Sequence, residues 1–174
     1  MFNGSLFEQG FDLIPDQINA EANNDISGDW ISLKDKDRAY LMLSKPAGTA
    51  GDDLIITLKQ ASDNAGTGSK ALNFTKVWHK VGTMNAVTQW THVELATATD
   101  SFNTETGGAG DLGADDKNAV ILVEVLAESL DVDNGFTHVQ FFSEGDEIGN
   151  GLLVTSSWIL TGNAYAKAIP NSAL

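Results

Sequence analysis

The chain has 174 residues, 42% of them hydrophobic and 20% charged, and its 24 acidic side chains against 10 basic ones give a formal net charge of −14. That length fits one domain burying about two thirds of the surface an unfolded chain exposes, and the apolar fraction is too high for a disordered protein. The sign of the charge opposes a phosphate backbone, which clustered Lys and Arg would bind, so direct nucleic-acid binding is excluded. With no cysteine, disulfides, thiolate metal sites and a thiol nucleophile are excluded as well.

The opening MFNGSLFEQGF lacks the basic and continuous apolar regions of a secretion signal. No apolar run approaches the about 18 residues of a membrane span. The expectation is a soluble protein made in the cytoplasm, with no membrane partner. Phe2, Leu6, Phe7, Phe11, Leu13 and Ile14 are interrupted by Gly4, Gly10 and Pro15, which reads as an extended arm over residues 1–25. Such an arm completes its own sheet or lies on a neighbour; the first is the simpler expectation.

From residue 26 onward period two dominates, the mark of strands. A short strand is expected at 28–33. Ala39, Leu41 and Leu43 then alternate against Arg38, Tyr40 and Met42, and Leu54, Ile56 and Leu58 against Thr57 and Lys59. Two further strands at 71–81 and 89–96 are rich in β-branched and aromatic residues. The polar stretch 97–118 reads as a long loop. Ile121, Val123 and Val125, then Val139 and Phe141, then Leu152, Val154, Trp158 and Leu160 mark the inward faces of three more strands. About eight evenly spaced strands predict an all-β fold, an antiparallel β-sandwich with the jelly roll as one winding of it. Residues 26–174 form this single domain.

Motifs for chemistry are weak. Gly108 to Gly113 matches G-x-G-x-x-G, but a strand follows it where the dinucleotide fingerprint needs a helix. Gly66-Thr67-Gly68-Ser69-Lys70 reads as a turn needing positive φ rather than a phosphate cradle. Asp131-Val132-Asp133-Asn134-Gly135 offers oxygen ligands at alternating positions, yet its glycine comes a residue too early for an EF-hand and Phe142 stands where the closing Glu belongs, so a turn is expected. A looser calcium site drawing on Asp146 and Glu147 stays open. His79, His92 and His138 lie on separate strands; the first two are cross-strand neighbours if 71–81 and 89–96 form a hairpin, with no third zinc ligand indicated. No G-x-S-x-G elbow occurs, and Ser156 and Ser157 sit within a strand. No catalytic residue, metal site or cofactor is assigned, and the protein is not expected to be an enzyme. Of the four tryptophans, Trp158 belongs to the core pattern, whereas Trp78 and Trp90 alternate with polar residues and are candidates for a sugar platform.

The runs GDWISLKDKDRAYLML, AGTAGDDLIITLKQASDNAGTGSKALNF and QWT, with LVEVLAESLDVDNGFTHVQF and the closing WILTGNAYAKAIPNSAL, resemble a group of virion-associated proteins of tailed bacteriophages. The resemblance covers most of the chain from about Gly28 to the C-terminus. It implies a structural component of the particle, foremost a capsid decoration or cement protein on the exterior of the virion, partnered by the major capsid protein and by copies of itself, with a homotrimer favoured. On that expectation the arm residues Phe2, Leu6, Phe7, Phe11 and Leu13 contact the shell or a neighbour. The alternative is a neck or tail module for host recognition, binding sugar through Trp78 or Trp90 with calcium at the loops.

Overall fold

Wherever the sequence alternates, the backbone is extended. The computed structural model describes residues 11–18, 20–21, 25–48, 54–83, 89–104, 117–144 and 153–162. Among them are thirteen strands: β1 (Asp12–Pro15), β2 (Ala20–Glu21), β3 (Ile26–Ser27), β4 (Ile31–Ser32), β5 (Arg38–Lys45), β6 (Ile55–Ala61), β7 (Lys70–Ala71), β8 (Phe74–Val81), β9 (Thr91–Thr99), β10 (Ser101–Asn103), β11 (Ala119–Leu126), β12 (His138–Ser143) and β13 (Leu153–Thr161). They build two antiparallel sheets. The seven-stranded sheet runs β1-β13-β5-β11-β8-β9, with β2 also on β13; the six-stranded sheet runs β10-β6-β12-β3, with β4 also on β12 and β7 on β6.

The pairings are nested. β1 pairs with β13, β3 with β12, β5 with β11 and β6 with β10, so early strands meet late ones in order, as when one long hairpin is rolled up. This is the jelly-roll winding of a β-sandwich. The β8–β9 hairpin enters the sequence between β6 and β10 and widens the seven-stranded sheet beyond β11.

Alternation decides what lies inside. One cross-strand row of the seven-stranded sheet reads Ile14, Trp158, Leu41, Val123, Val77 and Val93. Facing it, the six-stranded sheet contributes Ile56, Leu58, Val139, Phe141 and Phe102 to the same core. Trp158 and Phe141 are its largest fully buried side chains. Burial of a side chain of this kind contributes about 1.5–3 kcal/mol.

Residues 12–15 and 20–21, inside the segment expected to be an arm, pair with β13 and so complete the chain's own sheet. A polar latch fixes them. The Asp16 carboxylate accepts hydrogen bonds from the Asp29 N–H at 2.7 Å and the Ser156 hydroxyl at 2.9 Å, and Ser156 Oγ accepts from the Gln17 N–H at 3.0 Å. Burial raises the Asp16 pKa above its usual 3.8 despite these bonds. Part of the expected loop 97–118 is strand instead: residues 97–99 finish β9 and Ser101–Asn103 is β10, with Phe102 buried. Small polar residues hid that alternation, and the pairing of Phe102 with Ile56 supplies what local pattern lacked.

The glycine loop 62–70 is a turn, as the sequence predicts. The Asp63 carboxylate accepts from the Ala65 and Thr67 N–H groups, both at 3.0 Å, and these bonds hold its pKa below the usual value. Gly66 has φ 78°, and a Cβ there would lie 2.7 Å from the indole nitrogen of Trp30. The loop thus needs glycine for its backbone and for its packing. Gly66→Ala is expected to destabilise the protein by about 1–3 kcal/mol through left-handed strain and displacement of Trp30. A urea unfolding midpoint equal to wild type would show that Trp30 gives way freely.

Candidate functional site

Side chains that alternate away from the core cover the outer face of the seven-stranded sheet, and they are not an ordinary solvated set. One row reads Pro15, Ser157, Met42, Leu122, Trp78 and His92. The next reads Leu13, Ile159, Tyr40 and Glu124. Leu13 is 46% exposed, while Met42, Tyr40, Trp78, Leu122 and Ile159 are half-buried. Aromatic residues with Met and Arg characterise the cores of protein interfaces.

The aromatic part lies on the added hairpin. The rings of Trp78 and His92 lie 4.9 Å apart and tilted by 30°, and Tyr40 meets Trp78 edge-on at 6.3 Å. Trp90 is 43% exposed, with the Lys80 ammonium 5.1 Å from its ring centre. Trp78 and Trp90, the two candidates for a sugar platform, therefore share one face. The geometry qualifies their role, because one face of Trp78 is taken by His92 and Lys80 sits over Trp90.

In the middle of this face Glu124 is a nearly buried carboxylate on a central strand. Its Oε1 accepts from Arg38 Nη1 at 2.9 Å and from the Tyr40 hydroxyl at 3.2 Å, while Oε2 lies 3.6 Å from Lys76 Nζ. Its side chain is 7% exposed, against 44% for both cations. A buried charge of this kind survives only with partners. Alternation puts Arg38 and Tyr40 on the outward side of a strand but does not mark them, Glu124 or Lys76 as a cluster. The signal was a single acid inside the apolar run AVILVEVL.

The remaining candidates are dispersed. Leu13 lies on this face, Phe11 is half-buried beside β1, and Phe2, Leu6 and Phe7 fall outside the described residues. His79 and His92 are not cross-strand neighbours: His79 pairs with Thr91 and His92 with Trp78, so the two rings lie on opposite faces of the hairpin. A single step along a strand reverses the face, which spacing between two strands does not reveal. His138 lies in the other sheet, 3.0 Å from the Thr137 hydroxyl. Among the described residues no three His, Asp or Glu side chains cluster to hold a metal ion. The stretch 131–135 is a turn in which Asp131 pairs with Lys70 and Asn134, both of which lower its pKa, and Gly135 is left-handed. Asp146, Glu147 and the glycines 108–113 fall outside the described residues. Among those residues no helix is long and apolar enough to cross a membrane.

The fold defines a jelly-roll β-sandwich. Compared with protein-family models, with curated proteins and with solved structures, the chain matches none.

His79 faces inward, and among the described residues its Nδ1 has no hydrogen-bond partner. Burial pushes its pKa below the ordinary 6.5. The unfolded chain then takes up a proton that the folded one refuses. The stability His79 permits is complete above about pH 6.5 and is lost as pH falls through the folded-state value. Between about pH 7.5 and pH 5.5 wild type is expected to lose more stability in urea unfolding than His79→Leu does. Equal losses would show that the imidazole titrates as if exposed.

Proposed function

We propose that the protein is a non-enzymatic structural protein of a tailed-bacteriophage particle, a decoration or cement protein that binds the outside of the assembled head and stabilises it. Its partner is the major capsid protein, and it acts as a homo-oligomer, with a trimer as the favoured state. Fold alone assigns no such role. The observation that carries the reading is the β1 side of the outer sheet face, where Leu13, Pro15, Ile159 and Met42 adjoin in register; in the sequence a Phe-rich segment precedes β1.

The physics of the role needs no catalytic group. A protein that binds the assembled shell and not its free subunits stabilises the shell by mass action. Modest contacts repeated over a symmetric lattice add up through avidity. A net charge of −14 suits the outside of a head whose packaged DNA is itself negative, and it keeps an abundant protein soluble. The resemblance of the runs from about Gly28 onward supplies the phage context.

Heads lacking this protein are expected to bind it in a simple ratio to the major capsid protein and to gain heat resistance. Leu13→Asp combined with removal of residues 1–10 is expected to weaken binding at least about tenfold, as when a central apolar contact is lost from an interface. Sedimentation of heads with bound protein, followed by quantitative mass spectrometry, measures both. Undiminished binding by the doubly altered protein would remove this surface from the interface, and failure of the unaltered protein to bind heads would remove the shell role.

A further inference from the structure

At the far side of the same face from Leu13, a small depression lies beside a β-bulge. The β8–β9 register shifts between Phe74 and Lys76, and a bulge re-aims the side chains around it. Asn73, Phe74, Thr75, Lys76, Glu124, Leu126 and Ser129 line an open depression of about 180 Å³. That is the scale of a single six-membered ring with its substituents.

The polar groups of this depression have hydrogen-bonding capacity to spare. Glu124 Oε1 is used by Arg38 and Tyr40, but among the described residues Oε2 has only Lys76 at 3.6 Å, beyond ordinary hydrogen-bond length, and a carboxylate offers about four acceptor positions. Lys76 brings three donors. Among the described residues the Asn73 and Thr75 side chains have no hydrogen-bond partner. The Ser129 hydroxyl donates to the Leu126 carbonyl at 2.6 Å and keeps its acceptor positions. Tyr40, whose hydroxyl is held on Glu124, and Trp78, in edge contact with Tyr40, lie on the same outer face. Hydrogen-bond donors and acceptors gathered around a depression that Phe74 and Leu126 also line match a sugar, whose hydroxyls both give and accept and whose C–H face is apolar.

Charge selects the class of ligand. Arg38 and Lys76 are balanced by Glu124 and by Glu94, which pairs across from Lys76 on β9. A ligand anion would face the Glu124 carboxylate, and a ligand cation the two basic groups. A neutral ring meets neither penalty.

We propose that this depression is a binding site for a neutral saccharide, with Glu124 Oε2 accepting from one ring hydroxyl, Lys76 donating to its neighbour, and Asn73 and Thr75 completing the contacts. The site lies across the sheet from the shell-docking surface and does not rest on that reading. A particle bearing it would hold sugar-binding groups on its exterior, available to the glycans of a cell surface.

The test uses the full chain and a panel of glucose, galactose, N-acetylglucosamine and rhamnose with their short oligomers, and galacturonic acid as the charged comparison. Saturation-transfer NMR and tryptophan fluorescence report binding. At least one neutral member is expected to bind at millimolar concentration or below and to outcompete the uronic acid. Thr75→Val and Asn73→Ala, both near the surface, are expected to weaken binding about tenfold each, as the loss of a hydrogen bond would. Glu124→Gln is expected to abolish it, with circular dichroism reporting whether that variant folds. Lys59→Ala on the other sheet is expected to leave binding unchanged. Absence of binding across the panel, a preference for the uronic acid, or binding that survives both Thr75→Val and Asn73→Ala would overturn the proposal. Head binding is measured separately, so neither result decides the other.

Discussion

The register of β5 between β13 and β11 is the constraint on which the rest depends. Leu41 sits opposite Trp158 on one side and Val123 on the other, and all three are fully buried. Because side chains alternate with period two, a slip of β5 by one residue would turn Tyr40 into the core, away from Glu124, and expose Leu41. The apolar inner face and the polar, aromatic outer face are thus one decision made once. The six-stranded sheet can then close only over the face that carries Trp158.

Around that register the chain winds by nested pairing, and the winding explains why distant segments meet. Asp16 reaches Ser156 because β1, the first strand, pairs with β13, the last. The latch is polar and half-buried, and burial raises the pKa of its carboxyl by more than the bonds from Asp29 and Ser156 lower it. It fixes the entry of the chain onto the sandwich edge, which sets where the residues before β1 leave the sheet.

The β8–β9 hairpin stands apart from this winding and carries much of the chemistry. It adds a width of two strands to one sheet, and with them Trp78, Lys76, Lys80, Trp90, His92 and Glu94. Its junction with β11 is where Glu124 finds Lys76 and where the depression lies. The face divides into an apolar side at β1 and an aromatic, hydrogen-bonding side at β8. Two kinds of contact can therefore coexist on one sheet without competing.

Much of the fold was legible in the residues because alternation is local. The inward faces of β5, β6, β11, β12 and β13, and the core place of Trp158, follow from period two alone. The positive φ at Gly66 follows from turn chemistry, although its contact with Trp30 does not. The site was not legible, for a physical reason. A carboxylate on a strand looks solvated until the neighbouring strands are known, and Glu124 is nearly buried only because Arg38, Tyr40 and Lys76 close over it from β5 and β8. The opposite facing of His79 and His92 likewise depends on a hairpin register that spacing does not specify. Local sequence determined which residues could face inward together; pairing between distant strands decided which polar groups would share a surface, because only tertiary contact sets burial and brings charges within a few ångströms.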